Sequence, residues 1–410
     1  MTARCIGVIA ASAVLCFGGA AAWAQEGGRP KTLADAVAME AANALPRTAF
    51  YDSPKSLNET KPGALLRQEA FDGYAVPPGA RAVRILYHSR DSEDRDIVTS
   101  GVVLIPAGAA PADGWPVIAW AHGTSGIARQ CAPSLMKDVY YGDKLMPMVS
   151  AGYAVVATDY SGYGTDGAHR YMDKYAQTND VVFSIPAARQ AVPELGHGWV
   201  VDGHSQGGRA AWGVAEIEAK RHDPGYLGAI AVAPGVDLGL MSSLLMAADR
   251  PAGYYFDYLA YAIHRKTPSF QPSGMLVSQA MDRFGEVTTK GCWDYTLYHP
   301  GDLKPSEKLN PGWDKTEAAQ RLFRSSGPGK VPIEGPLFVI ASEQDRTIPI
   351  ASVKDAVAKT CKRGGTLTFR LYPGADHGPA MAQSLPDQLA WIADRFAGKV
   401  AENDCEAGSK

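Results

Sequence analysis

The residues best suited to chemistry lie in the stretch 199–212. It contains Gly203, Ser205 and Gly207 in the spacing Gly-x-Ser-x-Gly, the form of a nucleophile elbow. In such an elbow a serine stands on a strained turn between a strand and a helix, and its neighbours two residues away must be small. The alternative is an ordinary Gly-rich turn, so the prediction depends on what surrounds the motif.

A serine hydroxyl becomes a nucleophile only when a base removes its proton and a third group holds the base. In chains with this elbow the order is serine, acid, histidine. We predict that His377 is the base, because it is the only one of nine histidines that follows the strand predicted to carry the acid. His122 and His204 also lie near the predicted site, but they precede or adjoin the parts that they would have to serve.

Asp345 is the predicted acid, because it follows the apolar run that ends at Ala341. Glu343 lies closer to the end of that run and is the main alternative. Asp376 adjoins the predicted base and is therefore less able to fold back onto its imidazole ring.

The negatively charged oxygen of an acyl-transfer intermediate needs two backbone N–H donors. One donor follows the nucleophile and is therefore Gln206. The other is expected in the segment His122-Gly123-Thr124, where we predict Thr124 and keep Gly123 as the alternative. A structural Gly turn would also explain this segment.

Apolar runs alternate with helix-compatible segments through most of the chain, after a predicted hairpin of Arg81–Ser89 and Asp96–Pro106. The further predicted strands are residues 115–121, 153–158, 199–203, 227–233, 336–341 and 366–372. The predicted helices are residues 180–191, 206–221, 350–361 and 385–396. This order predicts an α/β fold with a mainly parallel sheet and ligand loops at the strand C-termini.

The alternation stops between residues 238 and 330, where we predict a mostly helical cap inserted in the sheet domain. The core then comprises residues 81–237 and 331–400, with an N-terminal arm at 25–80 and a polar tail at 401–410. Residues 1–24 have the pattern of a secretory signal peptide with cleavage after Ala24, and an uncleaved anchor is the alternative. Nothing after Gln25 is long and apolar enough to span a bilayer.

The composition of the chain limits which classes of partner and site the protein can have. The net charge of −3, without a basic stripe, argues against nucleic acid. After signal cleavage four cysteines remain, an even number that predicts disulfides in an exported protein, and no Cys-x-x-Cys pair suggests a metal or redox site. These cysteines are Cys131, Cys292, Cys361 and Cys405.

Several short segments together resemble the secretory lipase family, the lipase-A type of α/β-hydrolase. The most family-specific are Cys131-Ala132-Pro133-Ser134 and the segment Asp159–Thr165, with sequence Asp-Tyr-Ser-Gly-Tyr-Gly-Thr. Further matching pieces are Phe50-Tyr51, Pro62-Gly63, residues 86–89, residues 100–106, Ala121-His122-Gly123-Thr124, and the surroundings of Ser205, Asp345 and His377. The resemblance implies an ester hydrolase with a helical cap and no cofactor, and it supports that triad. It also implies that Cys131 pairs with Cys292, and Cys361 with Cys405.

The predicted function is therefore an exported serine carboxylic ester hydrolase of lipid catabolism, secreted or periplasmic. It would act on small-molecule or lipid esters, with transient contact to a lipid interface through the cap. Residues 241–263 are rich in Met, Leu and Tyr and would either line an acyl pocket or form the cap's own core.

Two alternatives stay open from the residues alone. One is a serine exopeptidase on the same fold, with Glu286, Asp282 or Arg283 fixing a chain terminus. The other is a binding protein with a hydrolase fold, which is disfavoured because such proteins usually lose a member of the triad and none is missing here.

Overall fold

A computed structural model describes residues 30–54, 57 and 61–407. Nine strands are found in these residues: β1 Leu65–Ala70, β2 Arg81–Arg90, β3 Asp96–Ile105, β4 Trp115–Ala121, β5 Ala154–Thr158, β6 Leu195–His204, β7 Tyr226–Val232, β8 Leu337–Ala341 and β9 Leu367–Leu371. They form one sheet in the order β1-β2-β3-β5-β4-β6-β7-β8-β9. The strands from β5 onward in this order pair in parallel, whereas β1, β2, β3 and β5 pair antiparallel.

The helices of the described residues lie between and after these strands. They are α1 Leu33–Asn43, α2 Gly142–Ser150, α3 Lys174–Ala191, α4 Gln206–Arg221, α5 Leu238–Ala248, α6 Tyr255–Lys266, α7 Ser278–Val287, α8 Trp293–Tyr298, α9 Pro305–Lys308, α10 Glu317–Ser326, α11 Ile350–Cys361, α12 His377–Phe396 and α13 Asp404–Ala407. Six of them, α5 to α10, follow one another between β7 and β8. None of the helices in the described part is long and apolar enough to cross a membrane.

The central strands are buried on both faces. In β4, Val117 and Ala119 pack into one apolar cluster, together with residues of α3 and α4. Ile118 and Trp120, which point the other way along the same strand, pack into a second cluster with residues of α2 and α12. This alternation explains why the central strands read as continuous apolar runs, and it confirms the predicted α/β architecture.

One strand was not expected from the sequence. The sequence predicts no strand before Arg81, but β1 within the N-terminal arm pairs with β2, with Leu65 opposite Tyr87. Its residues include Arg67, Gln68 and Glu69, so no apolar period marks it as a strand. An edge strand has a neighbour on one side only and therefore needs little apolar character.

The opposite edge of the sheet is covered by the C-terminal segment. The backbone N–H groups of Leu367 and Phe369 in β9 donate to the side chains of Asn403 and Asp404, at 3.2 and 2.7 Å. A disulfide joins Cys405 in this segment to Cys361 at the end of α11. The tail is thus fastened along the outer strand.

Candidate active site

Ser205 lies between the end of β6 and the start of α4. Its backbone has φ 59° and ψ −115°, a strained conformation for a residue with a Cβ. A Cβ on Gly207 would overlap the carbonyl group of Ala121, and one on Gly203 would overlap the backbone of Gly207. Both glycines are therefore needed for the turn to close beside β4, which presents the serine at the C-terminal edge of the sheet.

The three residues predicted to form the triad lie in contact. Ser205 Oγ is 2.8 Å from His377 Nε2, and His377 Nδ1 is 2.8 Å from Asp345 Oδ2. A carboxylate can only accept, so the hydrogen on His377 lies on Nδ1 and leaves Nε2 free to accept the serine proton. The arrangement can therefore activate Ser205 as a nucleophile.

The acid is held by the backbone as well as by the histidine. Asp345 Oδ1 accepts from the N–H groups of Thr347 and Ile348, both at 2.8 Å, and the Asp345 side chain is only 2% exposed. The alternative acid, Glu343, is exposed and lies 3.3 Å from Lys354 Nζ. The structure therefore brings Asp345, and not Glu343, to the base.

Asp376 has a different part from that of a triad acid. Its carboxylate accepts from the backbone N–H of His377 and so caps α12, and it also binds the side chain of Arg346. Burial raises the pKa of Asp376, but the hydrogen bonds from Arg346 outweigh burial and lower it to about 2. Because of this cap, α12 begins at His377, whereas the sequence predicts this helix only from Leu385.

The two other histidines that the sequence places near the site, His122 and His204, are buried and hydrogen-bonded. Burial lowers the pKa of His122 to about 4, and its Nε2 lies 3.1 Å from the carbonyl oxygen of Asp159. Burial, followed by the nearby charge of His377, lowers the pKa of His204 well below 6.5. The His204 ring lies between Tyr141 and the carbonyl of His377, at 2.9 and 3.2 Å. Neither contacts Ser205 as a base would.

The two predicted oxyanion donors share a pocket with the nucleophile. Thr124 and Gln206 are both buried, and both line the same pocket as Ser205. Their side chains are joined directly, because Thr124 Oγ1 donates to Gln206 Oε1 at 3.1 Å. This link brings the loop after β4 and the first residue of α4 together at the pocket beside Ser205.

The pocket beside Ser205 is narrow and mostly apolar, with about 350 Å³ of empty space including its open part. Its apolar and aromatic walls are Tyr171, Met172, Leu238, Met241, Tyr254, Tyr255, Leu259 and Ile348. Four of these, Met241, Tyr254, Tyr255 and Leu259, lie in the Met-, Leu- and Tyr-rich run, whereas other residues of the run, such as Phe256 and Ile263, are buried outside the pocket. Some residues of the run therefore line the pocket, whereas others form the core of the inserted helices.

Three wall residues were missed from the sequence, namely Tyr171, Met172 and Ile348. They come from segments outside the predicted strands, helices and cap. Only Ile348 had a usable signal, since it follows the acid by three residues.

A disulfide joins the loop beside Thr124 to the inserted helices. Cys131 is bonded to Cys292, which directly precedes α8. Ser125, the neighbour of Thr124, donates to the carbonyl of Cys131 at 2.7 Å and accepts from the N–H of Trp293 at 3.0 Å. Both disulfides have the partners that the family resemblance implies.

Removing the two disulfides should have different effects. We expect the Cys361→Ala/Cys405→Ala double variant to lose about 2–4 kcal/mol of unfolding free energy while keeping its turnover, because that bond lies far from Ser205 in the fold. The Cys131→Ala/Cys292→Ala double variant should lose stability and turnover together, because its bond holds the loop of Thr124. Urea unfolding and ester hydrolysis measure the two quantities. Equal turnover in both variants would contradict the expectation.

The residues that a peptidase would need to bind a chain terminus lie elsewhere. Arg283 is buried and bonded to Asp257 and to the carbonyl of Thr296, and Glu286 pairs with Lys290. Together with Asp282 they line a separate groove, and none of the three is among the described residues around the pocket of Ser205. Within the described residues, no group of three or more His, Cys, Asp or Glu side chains is placed to hold a metal ion.

The chain is similar to known lipases in sequence and structure. The family model of secretory lipases matches residues 306–404. A probable inactive lipase of Mycobacterium tuberculosis is 24% identical over 380 residues, which cover 85% of this chain and 82% of that protein. A secreted triacylglycerol lipase of Malassezia globosa is 24% identical over 392 residues, 87% of this chain and 81% of its own.

The solved structure of Candida antarctica lipase A in its closed state superposes with a TM-score of 0.74, at 18% identity and with 88% of each chain covered. At this identity the superposition establishes the fold, which is that of an α/β-hydrolase. The family match and these relatives confirm the resemblance to the secretory lipase family, and the superposition confirms the α/β-hydrolase fold.

Proposed function

We propose that this protein is a serine carboxylic ester hydrolase that works through an acyl-enzyme on Ser205. The observation that carries the proposal is the unbroken contact from Ser205 Oγ through His377 to Asp345, at 2.8 Å in each step. As Ser205 Oγ bonds to the ester carbon, His377 Nε2 takes its proton. The carbonyl oxygen becomes an oxyanion that the N–H groups of Thr124 and Gln206 stabilise.

The intermediate collapses when the bond to the alcohol oxygen breaks, and His377 returns the proton to that leaving group. Water then attacks the acyl-enzyme with the same base, which releases the acid and restores Ser205. Asp345 keeps the ring of His377 in one orientation through both halves of the reaction.

The substrate that we propose is an ester with an apolar acyl chain. The pocket next to Ser205 has walls of Leu238, Met241 and Leu259, and each buried CH₂ contributes about 0.8 kcal/mol. We propose that α5 to α10 act as a cap over this pocket, because these walls belong to α5 and α6. Hydrolysis should therefore become faster as the acyl chain lengthens from acetyl to medium length.

A panel of p-nitrophenyl esters of graded chain length, with a series of aminoacyl anilides beside it, tests this expectation. We expect kcat/KM to rise with chain length and the anilides to be poor substrates, with Ser205→Ala as the blank. A strict preference for acetyl would reject the apolar acyl pocket. Efficient anilide cleavage with weak ester hydrolysis would instead support the exopeptidase.

Export and contact with a lipid interface also belong to the proposal. The signal-peptide prediction lies outside the described residues. N-terminal sequencing of the exported protein, which we expect to begin at Gln25, tests it.

Two leucine side chains of the inserted helices are exposed, Leu244 on α5 by 45% and Leu297 on α8 by 40%. Exposed apolar side chains of this kind are suited to transient contact with lipid. Comparing emulsified and dissolved forms of one ester in the same panel tests that contact.

A further inference from the structure

His169 is a buried histidine with no part in the mechanism above. It is 1% exposed, and its ring stacks on Tyr163 with the centroids 3.9 Å apart. Burial lowers its pKa to about 3, so the ring is neutral at the pH values where a His base works. Its Nδ1 lies 3.2 Å from the carbonyl oxygen of Ser161, and its Nε2 lies 3.3 Å from the side-chain nitrogen of Gln206.

The direction of these hydrogen bonds follows from the carbonyl group at one end. The carbonyl of Ser161 can only accept, so Nδ1 of the neutral ring carries the hydrogen and Nε2 must accept. The side-chain NH₂ of Gln206 therefore donates to His169, which turns Gln206 Oε1 toward Thr124. The amide orientation of Gln206 is thus set by His169.

The series of hydrogen bonds continues from Gln206 through Thr124 to Tyr171. The Thr124 hydroxyl donates to Gln206 Oε1 at 3.1 Å, so its oxygen is left to accept from the Tyr171 hydroxyl, also at 3.1 Å. Tyr171, Thr124 and Gln206 all line the pocket of Ser205. We call Tyr171, Thr124, Gln206 and His169 the polar relay.

We propose that the polar relay sets the separation of the two oxyanion donors, with His169 and Tyr171 as positioning residues. The two donors belong to different segments, since Thr124 lies in the loop after β4 and Gln206 begins α4. The hydrogen bond between their side chains is the direct polar link between them. This inference rests on the proposed serine-hydrolase function, in which both backbone N–H groups bind the oxyanion.

The polar relay matters because the stabilisation of an oxyanion depends steeply on where the donors lie. A misplacement of about 1 Å lowers the rate of an enzyme by about a hundredfold. Loss of the relay should therefore weaken binding of the tetrahedral intermediate much more than binding of the ester itself.

His169→Phe and Tyr171→Phe test the proposal in the full-length enzyme. Phenylalanine keeps the ring stacked on Tyr163 in the first variant and removes one hydroxyl in the second. The matched control is Tyr87→Phe, because Tyr87 is also buried and its hydroxyl also bonds a threonine, Thr158, at 2.7 Å, and neither residue lines the pocket. The measurements are kcat, KM, the pH dependence of kcat, and inhibition by an alkyl trifluoromethyl ketone, which forms a tetrahedral adduct with an active serine.

We expect His169→Phe to lower kcat by about ten- to a hundredfold and to weaken the ketone by a similar factor, with KM within about twofold. Tyr171→Phe should lower both by about two- to tenfold, the value of one hydrogen bond. The pH midpoint of kcat should stay unchanged, because His377 and Asp345 are not touched. His169→Gln, whose side-chain oxygen can accept the bond from Gln206, should recover part of the loss.

The proposal is overturned if His169→Phe or Tyr171→Phe leaves both kcat and ketone inhibition at the level of Tyr87→Phe. It is also overturned if either variant changes KM alone. If His169→Phe does not fold, Tyr171→Phe decides the question alone. Failure of the proposed function would be visible separately, since the unmodified enzyme would then not form an adduct between the ketone and Ser205.

Discussion

Replacing Ser205 with alanine should reduce ester turnover by about six orders of magnitude, the loss typical of a triad nucleophile. The reason is that Ser205 Oγ supplies the bond-forming atom, and no other hydroxyl lies within hydrogen-bond distance of His377 Nε2 among the described residues. The variant should fold as the parent does, because the Cβ of alanine fits the same turn. Turnover of a chromogenic ester and circular dichroism measure the two effects.

Ser184→Ala is the matched control for this experiment. Ser184 is a buried serine in α3, and its hydroxyl donates only to the carbonyl of Val181. Its replacement removes the same atom away from the site and should leave turnover near that of the parent. An active Ser205→Ala enzyme would refute the acyl-enzyme mechanism outright.

The second-largest effect is expected at the acid. Asp345→Asn should lower kcat by about four orders of magnitude, because an amide nitrogen facing Nδ1 would favour the tautomer in which Nε2 carries the hydrogen. A His377 ring in that tautomer cannot accept the proton of Ser205. The fold should persist, since the asparagine oxygen can still accept from Thr347 and Ile348.

Glu343→Gln is the comparison for the acid, since Glu343 is the carboxylate that the sequence alone leaves as a rival. It is exposed beside Lys354, so its charge is not needed by His377 and kcat should change little. If Glu343→Gln proves the more damaging of the two, the assignment of the acid to Asp345 is wrong.

Much of the fold could be predicted because its signals are local. The central strands are buried on both faces and therefore appear as apolar runs, and the hairpin of β2 and β3 is marked by its charged turn. The elbow at Ser205 is likewise a local pattern, since its glycines and its strained turn lie within five residues. The prediction of a mainly parallel α/β sheet rests on features of this kind.

Other features depend on contacts between distant parts of the chain, and no local pattern reports them. β1 is held by its pairing with β2, although its own residues are largely polar. His169 and Tyr171 lie 37 and 47 residues along the chain from their partners Gln206 and Thr124, so no local pattern predicts these hydrogen bonds. The early start of α12 depends on the Asp376 cap, which the predicted helix of residues 385–396 does not include.

The C-terminal tail has a consequence for the behaviour of the protein in solution. An outer strand with free N–H groups is a template for pairing with another molecule, and β9 would be such a strand without its cover. Asn403 and Asp404 occupy two of those N–H groups with side chains, which cannot extend the sheet as another strand would. The bond between Cys361 and Cys405 fixes one end of this cover, so we expect its removal to leave the edge of β9 more open to pairing with another molecule.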